Sequence, residues 1–193
     1  MKKIITCIAL AAVLAMPLQA QNRPSNEFVL SYGAVSTLDM EMVIGSALVV
    51  VATGGTWNLK DMSTTGALSA HYYHNFNDRT AAGVIFTFED FSGDAYSKDM
   101  YIGKYGAVSL SVMPAFRYTW LYKDHAAFYS QLAAGVDLMA EPEKEITTKD
   151  LSAQFAFQAT LLGFEFGGRN VRGFLEGGVG TQGIVVGGIK FAF

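Results

Sequence analysis

The last eleven residues, 183–193, alternate as a β-strand, and they restrict the fold more than any other segment. Val185, Ile189, Phe191 and Phe193 fall on one face, with Ile184, Val186, Gly188, Lys190 and Ala192 on the other. A strand left at the edge of an open sheet is a template for aggregation, whereas closing the sheet into a barrel removes the edge. The same period of two recurs upstream, and counting it after Gln21 gives eight candidate strands separated by turn signals.

The amino terminus predicts export. Lys2 and Lys3 precede an apolar run from Ile4 to Met16, Pro17 ends it, and Ala20 offers a small residue for cleavage before Gln21. Residues 1–20 are therefore expected to leave as a signal peptide, with 21–193 as one domain. A retained membrane anchor is the alternative, but the run is too short for one. Cys7 lies near the start of the apolar run rather than after it, so lipidation is not expected. The mature chain then has no thiol for a disulfide or a metal.

Removing Lys2 and Lys3 from the 14 basic residues leaves 12 against 17 acidic ones, a net of −5 with no basic block. That argues against nucleic acid as a partner. Charged residues are 16% of the chain, well below the roughly 25% of an ordinary soluble domain. Yet no mature segment has the roughly 20 apolar residues of a membrane helix. A closed barrel is the other structure that satisfies every backbone group inside a membrane.

The expected strands are about 27–35, 66–74, 80–88, 106–120, 126–138, 152–164, 171–179 and 183–193. Connections after the second, fourth and sixth are short. Those after the first, third and fifth are longer, with polar segments at 92–105 and 141–150. Short periplasmic turns and long outer loops follow this pattern in membrane barrels; the short link after the seventh strand departs from it. Pro114 interrupts the fourth strand, where a bulge or slipped hydrogen bond is expected. Segment 36–52 does not alternate. Ser36 with Asp39 resembles a capping pattern, and Gly54-Gly55 ends the segment, so a short apolar helix is expected in the first outer loop. It would lie on the membrane surface or fold over or into the barrel mouth; the alternative is that its β-branched residues extend a strand.

Candidate chemistry is sparse. Ser69 and His71 share a face two residues apart, as a hydroxyl and its base would. That face is the interior one, no third orienting carboxylate is near in sequence, and a hydrogen-bonded interior histidine is the simpler reading. Three scattered histidines give no metal spacing, and Glu141, Glu143, Glu145 and Asp150 lack a calcium-loop pattern. No catalytic, cofactor or metal site is expected. Strand parity instead points Glu89, Arg117, Asp137, Arg172, Glu176 and Lys190 inward. Strand direction places Glu89 and Asp137 toward the outer end and Arg117, Arg172 and Lys190 toward the inner end, with Glu176 expected as the nearest acidic partner of that basic cluster.

Taken in order, these features resemble the small eight-stranded outer-membrane barrels of the OmpA and OmpX type, most of all the single-domain barrels of Bacteroidota. The terminal Phe193, with Ile189 and Phe191 at every second position before it, resembles their assembly signal. The Asn77-Asp78-Arg79 turn and a helical first loop add to the likeness. The resemblance implies an all-β, eight-stranded antiparallel up-and-down transmembrane barrel in the cell outer membrane of a Gram-negative bacterium. It implies a non-enzymatic structural or surface-interaction protein, contributing to envelope integrity or adhesion through its outer loops. Its partners would be outer-membrane lipid, the barrel assembly machinery and a host or surface ligand, and a monomer is expected. A lipid-modifying enzyme and a narrow channel are the alternatives; eight strands leave an interior just wide enough for side chains.

Overall fold

The computed structural model describes residues 23–98, 100–140 and 151–193; the expected cleavage site at Ala20 and Gln21 and the acidic loop 141–150 lie outside them. Among the described residues the elements are β1 (Asn26–Ala34), α1 (Thr37–Ala52), β2 (Trp57–Thr64), β3 (Ala67–Asn75), β4 (Thr80–Ser97), β5 (Met100–Tyr122), β6 (Ala126–Ala140), β7 (Leu151–Gly167), β8 (Val171–Gly180) and β9 (Val185–Ala192). All pairings are antiparallel. Starting at β3 they run through β1, β9, β8, β7, β6, β5 and β4, and β4 returns to β3. This is a closed eight-stranded barrel. The final strand makes the closure, with Phe191 opposite Phe28 of β1 on one side and Val171 of β8 on the other.

β2 is not a ninth stave. Its Thr64 faces Phe91 of β4, and β3 takes over at Leu68 opposite Phe88, so β2 and β3 form one stave broken at Thr65-Gly66. Gly66 has a φ of 68°, and a Cβ there would meet the Tyr32 ring, 2.5 Å away at the hydroxyl. A side chain fits neither the conformation nor the space.

Two sequence expectations about the outer end are corrected. Segment 92–105 is not a loop but the upper part of the β4–β5 hairpin, paired as far as Ser97 opposite Met100. Segment 57–64, not anticipated as a strand, pairs with that same upper part of β4. The three-stranded extension satisfies its backbone by ladder bonds and packs Tyr96 edge-on against Tyr101 at 5.7 Å. This outweighs the turn signals of Gly93, Gly103 and Lys60-Asp61. Asp61 takes a left-handed φ of 49° where the β2–β4 register shifts.

Pro114 does not cause a bulge. On β5 the register against β6 is the same on either side of it, Val112 with Val136 and Ala115 with Ala133. The bulges lie lower, between Thr119 and Leu121 on β5 and between Thr160 and Leu162 on β7. At each of them two successive side chains, Trp120 with Leu121 and Leu161 with Leu162, point outward.

The barrel is inverted relative to a water-soluble one. Its outward rows are apolar and open, as with Leu132 at 66% and Phe155 at 76% exposure. Its inside is buried and largely polar, holding Ser31, Ser69, His71, Thr87, Gln131, Gln158 and Thr160. A smaller apolar layer of Val29, Tyr73, Ile85, Met113, Phe174 and Val186 crosses the lumen at mid-height.

Candidate functional site: the filled lumen and its outer cap

The short turns between β3 and β4, β5 and β6, and β7 and β8 lie at one end of the barrel, together with Arg23 and Phe193. Just inside this end four cations and two carboxylates meet. Glu27 Oε2 lies 2.7 Å from Arg117 Nη1 and 3.2 Å from Lys190 Nζ, and Glu27 Oε1 accepts from Arg23 Nε at 2.7 Å. Glu165 pairs closely with Lys190 and lies 3.6 Å from Arg172, 3.8 Å from Arg23 and 3.9 Å from Arg117. All six side chains are almost completely buried. Buried charge persists only where partners and hydrogen bonds offset its lost hydration. Most of those partners are present: Arg172 also donates to the carbonyls of Gly168, Lys123 and Asp124, and Arg23 to Thr119, while Arg23 Nη2, Arg172 Nη1 and Glu165 Oε2 have ion-pair contacts alone.

Aromatic faces complete the cluster. The Arg117 guanidinium lies 3.9 Å from the Tyr73 ring centre and 4.8 Å from that of Tyr129; Arg23 and Arg172 both lie over Tyr122. Glycines make room for these rings. A Cβ on Gly83 would stand 2.6 Å from the Tyr73 ring, and one on Gly163 would stand 2.4 Å from the Tyr129 ring. The tyrosines therefore lie against bare backbone of the neighbouring strand and clamp Arg117 between them.

Arg117, Arg172 and Lys190 thus come together at the end that carries the short turns. Their acidic partners are Glu27 and Glu165, which corrects the expectation that Glu176 would be the nearest. Glu176 is buried higher up, where Tyr129 donates a short hydrogen bond to it and Thr160 donates another at 2.9 Å. Glu165 escaped sequence reading because the bulge at Leu161-Leu162 reverses the strand's parity, turning an apparently outward position inward. Glu27 was legible, since Phe28 beside it points outward. Arg23 precedes the first strand and had no periodic signal; it reaches the lumen because the strap it belongs to is tied to β3 through Asn75, which donates to the Pro24 carbonyl at 2.7 Å.

Ser69 and His71 do point inward, but not toward each other. Ser69 bonds to Thr87 at 2.9 Å, while His71 Nε2 contacts Ser31 at 3.1 Å and Gln182 at 2.7 Å. These contacts describe interior hydrogen bonding rather than an activated hydroxyl. Among the described residues no group of three or more histidines, cysteines or carboxylates is placed to hold a metal ion.

The other mouth carries the cap. Glu89 accepts from Ser36 Oγ at 2.7 Å and Thr64 Oγ1 at 3.3 Å, and Asp137 accepts from Ser109 at 2.6 Å. Glu89 and Asp137 are therefore held at the outer end, well away from the basic cluster. Ser36 is also the N-cap of α1: its hydroxyl accepts from Asp39 N at 3.0 Å, and its own backbone N–H donates to the Asp39 carboxylate at 3.1 Å. This is a capping box with one further contact that ties the helix start to the lumen. In the same turn, Leu38 is buried with Phe91, Ala107 and Met139, and Met42 and Tyr105 pack around them. Of the two expected roles for the helix, the structure has it start over the barrel mouth. Partial desolvation raises the largely exposed Glu41 carboxyl above its ordinary range, and the Asp137 carboxylate adds to the shift.

Fold and site together define a closed, eight-stranded antiparallel β-barrel with a buried ion-pair cluster at the end of its short turns and a helix starting over the opposite mouth. No protein-family model matches the chain, and no match is found among curated proteins.

Proposed function

We propose that this protein is an outer-membrane β-barrel of the OmpA and OmpX type, of the single-domain kind found in Bacteroidota. It is exported by a cleaved signal, inserted by the barrel assembly machinery, and works without catalysis, as a monomer. The observation that carries this reading is the inversion: apolar residues outside and ion pairs inside suit a wall surrounded by lipid. With Arg23, Arg117, Arg172 and Lys190 packed inside one end and the first turn of α1 bonded over the other, the proposed barrel is sealed rather than a pore. Its contribution is then to envelope integrity or adhesion, and the surface offered to an outside ligand is the later part of α1, from Gly45 on, with the top of the β2–β4–β5 extension.

Gel mobility of the outer-membrane fraction, heated and unheated, tests the class. A folded barrel migrates faster before heating; recovery in a soluble fraction with unchanged mobility would defeat the proposal. Planar-bilayer recording tests the sealed lumen, and stable openings would count against it.

A further inference from the structure

The apolar outer band is not of even height. On β6 the outward apolar row runs from Phe128 to Leu138, and on β7 from Phe166 to Phe155. At about 3.3 Å per residue and a tilt near 40°, the β6 row alone gives about 25 Å, the height of a membrane barrel's apolar band. The matching row on β1, Phe28 to Ala34, gives only about 15 Å, and that on β9, Phe193 to Val185, about 20 Å. By the same measure about 10 Å of wall is missing over β1 and about 5 Å over β9.

What rises from the end of β1 is α1. From Thr37 to Ile44 the helix climbs about 10 Å at 1.5 Å per residue. Its capping turn faces the lumen, and Glu41 and Met42 line the side toward Tyr105. The opposite side, with Met40, Val43 and Ile44, is exposed above β1. Between that side and β2 runs an apolar groove of about 420 Å³, bordered by Val35 at the top of β1 and Met62 on β2, with Phe91 also lining it. The polar side chains around it are Asp39, Ser63 and Thr64, and no basic residue lines it. Asp39 and Thr64 are already bonded to Ser36 and Glu89.

We propose that the first two turns of α1 complete the hydrophobic wall above the short strands, and that an acyl chain of an outer-leaflet lipid fills the groove between α1 and β2. The groove continues the outward row of β1 through Ala34 and Val35, so a lipid against the barrel reaches it without leaving an apolar surface. No basic residue lines it, its one carboxylate, Asp39, is held by the Ser36 amide at its edge, and Met40 and Met62 adapt to a flexible chain. This inference rests on the membrane reading proposed above.

Tryptophan quenching separates the two. With Trp57→Phe and Trp120→Phe removing both native tryptophans, one reporter is placed in the groove (Ile44→Trp) and another on the β7 wall (Leu161→Trp). Each full-length variant is reconstituted in phosphatidylcholine vesicles with or without bromine on the acyl chains. The expected result is that bromine quenches both reporters to a similar fraction while aqueous iodide quenches neither. Quenching of Leu161→Trp by bromine but of Ile44→Trp only by iodide would overturn the inference and leave the membrane reading standing. Failure of bromine to quench Leu161→Trp would overturn both. An Ile44→Trp shielded from bromine and iodide alike would mean that a second protein copy covers the groove, again against the inference. Should Ile44→Trp not fold, Val43→Trp on the same exposed side serves as the reporter with the same outcomes.

Discussion

Glu165 is the side chain on which the inner cluster depends most, and Glu165→Gln tests that directly. The variant keeps the shape and removes one charge that four cations share within 4 Å. The loss falls unevenly. Arg172 retains three carbonyl acceptors, and Arg23 and Arg117 retain Glu27. Lys190 is left with Glu27 alone, at 3.2 Å. Removing one partner of a buried ion pair costs about 3–5 kcal/mol, and the surviving contacts place this variant near the lower end, about 3 kcal/mol. With a urea m-value of about 2 kcal/mol/M, the unfolding midpoint in lipid vesicles should fall by about 1.5 M, read by tryptophan fluorescence with unchanged slope. The double variant Glu165→Gln/Lys190→Met removes both charges and should recover much of the loss. A single variant within about 0.5 kcal/mol of the parent, or a double variant no better than the single, would refute the reasoning.

Other outcomes follow from the same contacts. Gly163→Ala would meet the Tyr129 ring and should lose about 1–3 kcal/mol by the same unfolding assay, whereas Gly168→Ala, facing open space apart from one carbonyl at 3.8 Å, should be near neutral. Ser36→Ala removes a helix cap, worth about 1 kcal/mol, together with a bond to Glu89; amide exchange in α1 should accelerate while the exchange of β6 and β7 stays the same. The raised Glu41 carboxyl means that docking of α1 is favoured when Glu41 is protonated, and this contribution fades as pH rises through the folded-state pKa. Glu41→Gln should therefore flatten the pH dependence of α1 exchange, and an unchanged profile would remove Glu41 from the account. Deleting Phe193 should reduce the heat-modifiable fraction in the outer membrane more than it weakens the barrel that does assemble; normal insertion would count against its role in assembly.

The barrel was legible because one period, two, governs every stave and a lumen filled with side chains enforces it. The C-terminal strand showed it most clearly, and it is the strand that pairs with both β1 and β8. What misled was any local departure from that period. The Leu161-Leu162 bulge hid Glu165, and with it the true partner of Lys190. Pro114, the residue that looked disruptive, left the register intact. The outer extension was illegible for another reason: Gly93, Gly103 and Asp61 carry turn propensity, and only pairing among β2, β4 and β5 overrides it. Ser36 was readable as a cap, but its second bond, to Glu89 53 residues away, depends on the fold bringing β4 beneath the helix.

The account stands on the outward face being the lipid face. An accessibility scan of spin-labelled single cysteines along β6 measures this most directly, comparing membrane-soluble oxygen with a water-soluble nickel chelate. The account predicts a period of two: Leu132→Cys and Val136→Cys reached by oxygen and not by nickel, with Ala133→Cys between them poorly reached by either. Nickel reaching Leu132→Cys and Val136→Cys freely would mean that the apolar face meets water, and the membrane barrel would be contradicted.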